Sequence, residues 1–180
     1  PKVPLARLFQ MWETAYDLRL IHLTGGLTAV DSVPAFFSML AQVLAHQVIR
    51  RGRLGFQRAY LLQTAVLPYV RGKLLLNQPI TSPTVQLACR YHSQTADIPD
   101  NQILAFTLQQ IARSGMCSPA AQTAVRRAYH LLQPIVSVRP FLPSDCQNRT
   151  YSRLNQDYAI MHALCRFFLE HTGPNLADGS

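Results

Sequence analysis

Apolar positions recur at helical spacing near the start of the chain. Leu5, Leu8, Phe9, Trp12, Ala15 and Tyr16 share one face of residues 4–18, with Arg7, Glu13 and Asp17 opposite. This predicts a first helix whose Trp12 and Tyr16 stripe faces a core. Thr24-Gly25-Gly26 breaks the pattern. Asp31-Ser32-Val33-Pro34 then carries a side-chain oxygen able to cap free amides and a proline suited to a first turn. A second helix follows, with Val33, Phe36, Phe37, Leu40, Val43, Leu44 and Val48 on one stripe, ending at Arg50-Arg51-Gly52. From Phe56 the period changes. Residues 56–67 and 70–76, separated by Pro68 and containing Arg71-Gly72 as a turn or bulge, predict two antiparallel strands, and residues 85–91 predict a third.

Helical spacing returns over residues 99–114 through Ile103, Leu104, Leu108 and Ile111, with Gly115 placed to end the helix. Ser118-Pro119 opens another, with Ala121, Ala124, Val125, Ala128 and Leu132 inward and Pro134 closing it. Pro140 and Pro143 mark an extended connector, and a last helix carries Leu154, Tyr158, Met161, Cys165 and Phe168 up to Gly173. The pattern predicts a mainly α fold with a small antiparallel β-sheet (α+β): a helical bundle with an inserted two- to three-stranded hairpin or sheet. The expected organisation is a single domain over residues 1–173, with the β insertion at about 55–91, and a frayed tail at 174–180.

Composition narrows this only slightly. With 180 residues, 48% hydrophobic and 14% charged, the chain can bury a core without disulfides or metal. Cys89, Cys117, Cys146 and Cys165 lie far apart with no CxxC pair, so reduced and mostly buried thiols are expected. No signal peptide is visible and the cytoplasm is the expected compartment. The first residue is Pro rather than Met, which suggests a piece of something longer.

Charge is more informative. Residues 1–90 hold ten Lys and Arg against three acids, residues 91–180 seven against six. No carboxylate lies between Asp31 and Asp97, an interval containing Arg50, Arg51, Arg53, Arg58, Arg71, Lys73 and Arg90. Only Lys2 and Lys73 are lysines, leaving fifteen arginines, whose planar guanidinium suits bidentate contact with carboxylate or phosphate. Such a stretch presents a positive field to phosphate or to an acidic protein face. The plainer alternative is a basic surface that keeps the protein in solution.

Candidate chemistry is mostly absent. Neither lysine follows an acid by two residues, so a restriction-type nuclease site cannot be assembled locally from the nine acids. The histidines, His22, His46, His92, His130, His162 and His171, form no HExxH motif, and no GxSxG, GxGxxG or GxxxxGKS segment occurs. The chain as given is therefore expected to have no catalytic residues, metal or cofactor of its own. Gly52-Arg53-Leu54-Gly55 has the GxxG form of a loop that clamps a nucleic-acid backbone, and equally that of a helix terminus using two glycines.

Several segments, in order, resemble the McrC family, a component of the 5-methylcytosine restriction system. They are Pro1-Lys2-Val3-Pro4 before an aromatic helix, Arg51-Gly52-Arg53-Leu54, Tyr60, and Leu67-Pro68-Tyr69-Val70-Arg71-Gly72-Lys73-Leu74. Cys89-Arg90-Tyr91 with Asp97 and Asn101-Gln102-Ile103-Leu104 follow, and then Arg153-Leu154-Asn155-Gln156-Asp157-Tyr158. The resemblance implies a subunit that docks on an AAA+ GTPase ring of the McrB type, stimulates its hydrolysis and carries a C-terminal PD-(D/E)xK nuclease, in a complex that restricts DNA with modified cytosine. GTP and magnesium would then belong to the partner or to the nuclease.

Two departures stand out. The chain stops about where that nuclease would begin, and His92-Ser93 stands where the family more often has an Asp-Glu pair. The expectation is a non-catalytic activator part, with a stand-alone basic nucleic-acid-binding domain as the alternative. Candidate partner contacts are Arg58, Arg71 and Lys73; candidate nucleic-acid contacts are Arg50, Arg51, Arg53 and Arg90. Cys89, Tyr91, Asp97, Asn101, Arg153, Asn155 and Tyr158 are expected to be structural, the last three as a polar brace between the final helix and the sheet.

Overall fold

The computed structural model describes residues 32–75 and 87–172, together with Met11 and Thr14. Apart from those two positions, the helix expected over residues 4–18 lies outside the described residues, as does the tail. Two compact units are formed. One comprises residues 1–57 and 99–180, and the other is the segment Arg58–Ile98 between them.

Among the described residues, four α-helices of the first unit are complete: α1 (Val33–Leu54), α2 (Pro99–Ser114), α3 (Pro119–Leu132) and α4 (Asp157–Thr172), with a 3-10 turn at Pro143–Cys146 before α4. The start signals act locally. Ser32 Oγ accepts the Ala35 amide at 3.3 Å and Ser118 Oγ accepts the Ala121 amide at 3.4 Å, each with proline in the first turn. Packing follows from spacing: Leu40, Leu44 and Val48 of α1, Leu104, Leu108 and Ile111 of α2, Val125 and Leu132 of α3, and Met161, Leu164 and Phe168 of α4 are all buried in one core. Fully burying each such side chain is worth about 1.5–3 kcal/mol. Ser38 ties two helices together, its hydroxyl donating to the Pro34 carbonyl at 2.9 Å and accepting the Ser118 amide at 2.9 Å.

Helix α1 runs past its expected end. Gly52 is helical, and the stop falls at Gly55, which adopts φ +92° while its amide donates to the Gly52 carbonyl. Residues 52–54 are thus the last turn of a helix, and the GxxG segment is not a free clamp loop. The final helix is also shifted. It begins at Asp157, leaving Leu154 85% exposed instead of facing the core.

The second unit is a three-stranded antiparallel sheet of order β1-β3-β2, with β1 at Ala59–Leu67, β2 at Lys73–Leu74 and β3 at Leu87–Thr95. Strands β1 and β3 pair from Ala59↔Thr95 to Leu67↔Leu87. Strand β2 starts at Lys73 and not at the expected residue 70, because the Arg71 amide turns to the Cys89 sulfur at 3.4 Å instead of joining the ladder, and Leu76 of the expected 70–76 lies outside the described residues. Strand β3 extends beyond the expected 85–91 into polar Ser93–Thr95, where pairing with β1 satisfies the backbone.

Candidate functional site

The motif-bearing segments gather into two constellations, one in each unit. In the helical unit the buried Tyr158 hydroxyl accepts the Gln57 amide at 3.0 Å and donates to Asn101 Oδ1 at 2.6 Å. Asn101 Nδ2 donates to the Gln57 carbonyl at 2.8 Å, and Asn155 Nδ2 donates to Gln57 Oε1 at 2.9 Å. Gln57 is thereby held through both main-chain groups and its side chain. Burial pushes the Tyr158 phenol above its ordinary pKa, so it remains a neutral donor.

Arg51 joins this group. Its guanidinium lies 5.2 Å from the Tyr158 ring centre, donates to the Leu154 carbonyl at 3.1 Å and stands 3.5 Å from the Asp157 carboxylate. With its side chain only 15% exposed, Arg51 braces the start of α4 and is not placed as a nucleic-acid contact. The brace expected to join the last helix to the sheet runs instead to Gln57, Asn101 and Arg51 within the helical unit. Arg153 is exposed, as are Arg50 and Arg53 in the last turns of α1. In the sheet unit, the Asp97 amide donates to Thr95 Oγ1 at 3.0 Å as the chain leaves β3.

A second buried group lies nearby in the sequence. His162 Nε2 stands 3.0 Å from the Asp100 carbonyl, which can only accept, so Nε2 carries the proton and Nδ1 accepts the Tyr151 hydroxyl at 2.8 Å. Burial lowers the His162 pKa. Asp100 itself pairs with Arg149 at 2.6 Å. Burial also pushes the thiols up, Cys146 to about 12 and Cys165 well above its ordinary value, which leaves them poor nucleophiles.

The sheet unit holds the other constellation, around a cleft of about 520 Å³. Leu62, Arg71, Gly72, Lys73, Arg90, Tyr91 and His92 line it. Gly72 makes the close approach possible: it adopts φ +69°, and a Cβ there would meet the Arg90 carbonyl oxygen at 2.4 Å. The turn therefore presses against β3, placing Arg71 with its guanidinium 4.2 Å from the Tyr91 ring centre and Lys73 directly opposite Arg90. Cys89, fully buried, receives the Arg71 amide and reaches the Tyr69 carbonyl at 3.8 Å, holding both ends of the turn. Arg71, Lys73, Arg90 and His92 are exposed, as is Arg58 at the opening of the unit. Among the described residues, none of Arg58, Arg71, Lys73 and Arg90 pairs with a carboxylate.

Sequence reasoning missed Gln57 and the part of Leu62 and His92 in the cleft. Gln57 sat inside a run read as strand and carried no signal of its own. The other two could have been found by aligning the strand alternation of Tyr60 and Leu62 with that of Arg90 and His92.

The arrangement in the sheet unit is that of a surface that presents cations. Residues 5–180 match the family model of the McrBC 5-methylcytosine restriction system component, and the chain belongs to that family. The fold is similar to one in the cryo-EM structure of the Thermococcus gammatolerans McrBC complex, with a TM-score of 0.70 and 15% identity over 88% of this chain and 49% of that one. It is also similar to one in a refined half-complex from the tetradecameric assembly of T. gammatolerans McrB AAA+ hexamers with bound McrC. There the TM-score is 0.62 and the identity 14%, over 78% of this chain and 34% of that one. The chain thus spans about half the length, or less, of the solved chains it matches. No curated protein matches it in sequence. No helix among the described residues is long and apolar enough to cross a membrane.

Proposed function

We propose that this chain is the non-catalytic, partner-docking and activating part of a modification-dependent restriction complex. It docks on an AAA+ GTPase of the McrB type and links that motor to a PD-(D/E)xK nuclease carried outside this chain. The observation that carries the reading is the convergence of the Arg71-Gly72-Lys73 turn on Cys89-Arg90-Tyr91, which leaves Arg71, Lys73 and Arg90 exposed on a small sheet, with no carboxylate partner among the described residues. The fold likeness to a McrBC complex and the family membership support it.

Arg71 and Lys73 are the residues through which docking would influence hydrolysis. A guanidinium brought beside a bound nucleotide stabilises the charge that develops on the transferred phosphoryl group. Stacking on Tyr91 fixes the Arg71 fork before docking, so less freedom is lost on contact. Several carboxylates are already engaged elsewhere, which favours docking over hydrolytic chemistry in this chain. Asp100 pairs with Arg149, Glu170 with Arg166, and Asp145 Oδ2 accepts the Leu142 amide.

Co-elution on size exclusion with an AAA+ GTPase of the McrB type, in the presence of a non-hydrolysable GTP analogue, tests the docking. The reading expects a complex with the chain as given and a weaker one with Arg71→Ala and Lys73→Ala together. Separate elution of a folded chain contradicts it.

A further inference from the structure

The sheet unit has a face on which the docking cations stand beside exposed apolar and aromatic side chains. Side chains alternate along a strand, so residues two apart share a face, about 6.8 Å from one another. The register therefore puts Tyr60 with Gln94, Leu62 with His92, and Thr64 with Arg90 and Lys73 on one side of the sheet. This side is open: Tyr60 is 69% and Leu62 58% exposed, and Arg90, His92 and Lys73 are exposed beside them.

Two features mark the face as a ligand site. Lys73 and Arg90 are like charges directly opposite one another across an antiparallel ladder, an arrangement that destabilises a sheet unless an anion bridges them. Arg71 adds a third cation at the rim, and across the whole unit Arg58, Arg71, Lys73 and Arg90 face a lone carboxylate, Asp97. The second feature is the apolar partner of this charge. Leu62 lines the cleft beside the cations, and Tyr60 continues the same face one step along β1. A rail of cations next to an exposed aromatic ring on an open sheet is the combination by which proteins hold single-stranded nucleic acid, with phosphates on the rail and bases stacked on the ring.

We infer that this face binds a single strand of nucleic acid, with its phosphodiester backbone against Arg71, Lys73 and Arg90 and its bases against Leu62 and Tyr60. The cations share one open cleft with Leu62, on the face that Tyr60 continues, so a phosphate held there has apolar and aromatic side chains beside it for the neighbouring bases. The inference is independent of docking and is tested without the partner, although Arg71 and Lys73 serve both.

The experiment is fluorescence anisotropy of a labelled single-stranded oligonucleotide titrated with the 180-residue chain at stepped salt concentrations. Binding with a log–log salt slope of about −2 is expected for three phosphates neutralised, at about −0.7 each on a single strand. Arg90→Gln should make the slope shallower by about 0.7, whereas Arg90→Lys, which keeps the charge, should retain it. Tyr60→Ala should weaken binding roughly tenfold at every salt concentration without changing the slope, as loss of a stacking ring does. Absence of binding by a chain folded by circular dichroism overturns the inference, as does an unchanged affinity in Arg90→Gln. Equal affinity for duplex contradicts the stacking, and competition by free GTP at concentrations comparable to the oligonucleotide's phosphate would mark a nucleotide site instead. Partner-stimulated GTP turnover, read separately on Tyr60→Ala, distinguishes failure of this site from failure of docking.

Discussion

The guanidinium of Arg71 lies 4.2 Å from the ring centre of Tyr91, on a turn whose own amide is held by the Cys89 sulfur. This pairing turns a flexible side chain into a fixed, exposed donor. A cation over an aromatic face is worth about 0.5–2 kcal/mol. Tyr91→Leu should therefore lower partner stimulation by about two- to thirtyfold while the sheet stays folded, and Arg71→Ala should lower it further. Initial rates of GTP hydrolysis at saturating chain, with amide exchange protection of β3 as the folding control, check both.

Gly72 permits the close approach that creates the cleft. Alanine there would be strained at φ +69° and would drive its Cβ into the Arg90 carbonyl. Gly72→Ala should destabilise the sheet unit by about 1–3 kcal/mol. Hydrogen exchange should report this as faster exchange at the Leu75 amide, which donates to the Ala88 carbonyl at 2.8 Å, and through β3.

Tyr158 serves the helical unit by a different device, a buried hydroxyl that both accepts from Gln57 and donates to Asn101. Tyr158→Phe removes that oxygen and leaves the Gln57 amide and the Asn101 carbonyl without it. A loss of about 1–3 kcal/mol is expected, the cost of an unsatisfied buried polar group. Urea unfolding followed by far-ultraviolet circular dichroism measures it, with an unchanged m-value expected if the unfolding stays two-state.

The His162 pair makes acid sensitivity specific. Its pKa is lowered in the folded state by burial, so the unfolded chain binds a proton more readily than the folded one. The stability from neutral His162 is present above the ordinary histidine value of about 6.5 and declines as pH falls through 6.5 toward the lower folded pKa. Melting temperatures from pH 8 down to pH 5 should fall more steeply in the natural chain than in His162→Gln, whose amide does not titrate.

Much of the fold was legible because its signals are local. Ser32 with Pro34 and Ser118 with Pro119 start helices by satisfying amides within three residues, and Gly115, at φ +67°, follows the end of α2. Where the sequence misled, a distant partner decided. Arg51 stood among basic residues and looked free, yet Asp157 and the Leu154 carbonyl, over a hundred positions later, draw it inward. Leu154 looked like the first core position of the last helix, but that helix starts only at Asp157. The polar end of β3 looked like loop, since alternation says little where both strand faces meet solvent. Of the candidate site, the order of motifs indicated Arg71, Lys73 and Arg90. Their meeting in one cleft depends on the β2–β3 register and on Gly72, neither of which periodicity reveals.

Activation of an AAA+ motor of the McrB type by this chain, as proposed above, can be tested directly. The most direct measurement is the rate of GTP hydrolysis by an AAA+ GTPase of the McrB type, with and without the chain, in the absence of DNA. A rate that rises with added chain and saturates, and that falls back toward the basal value with Arg71→Ala and Lys73→Ala together, is the predicted result. A rate unmoved by a saturating amount of folded chain would contradict the account.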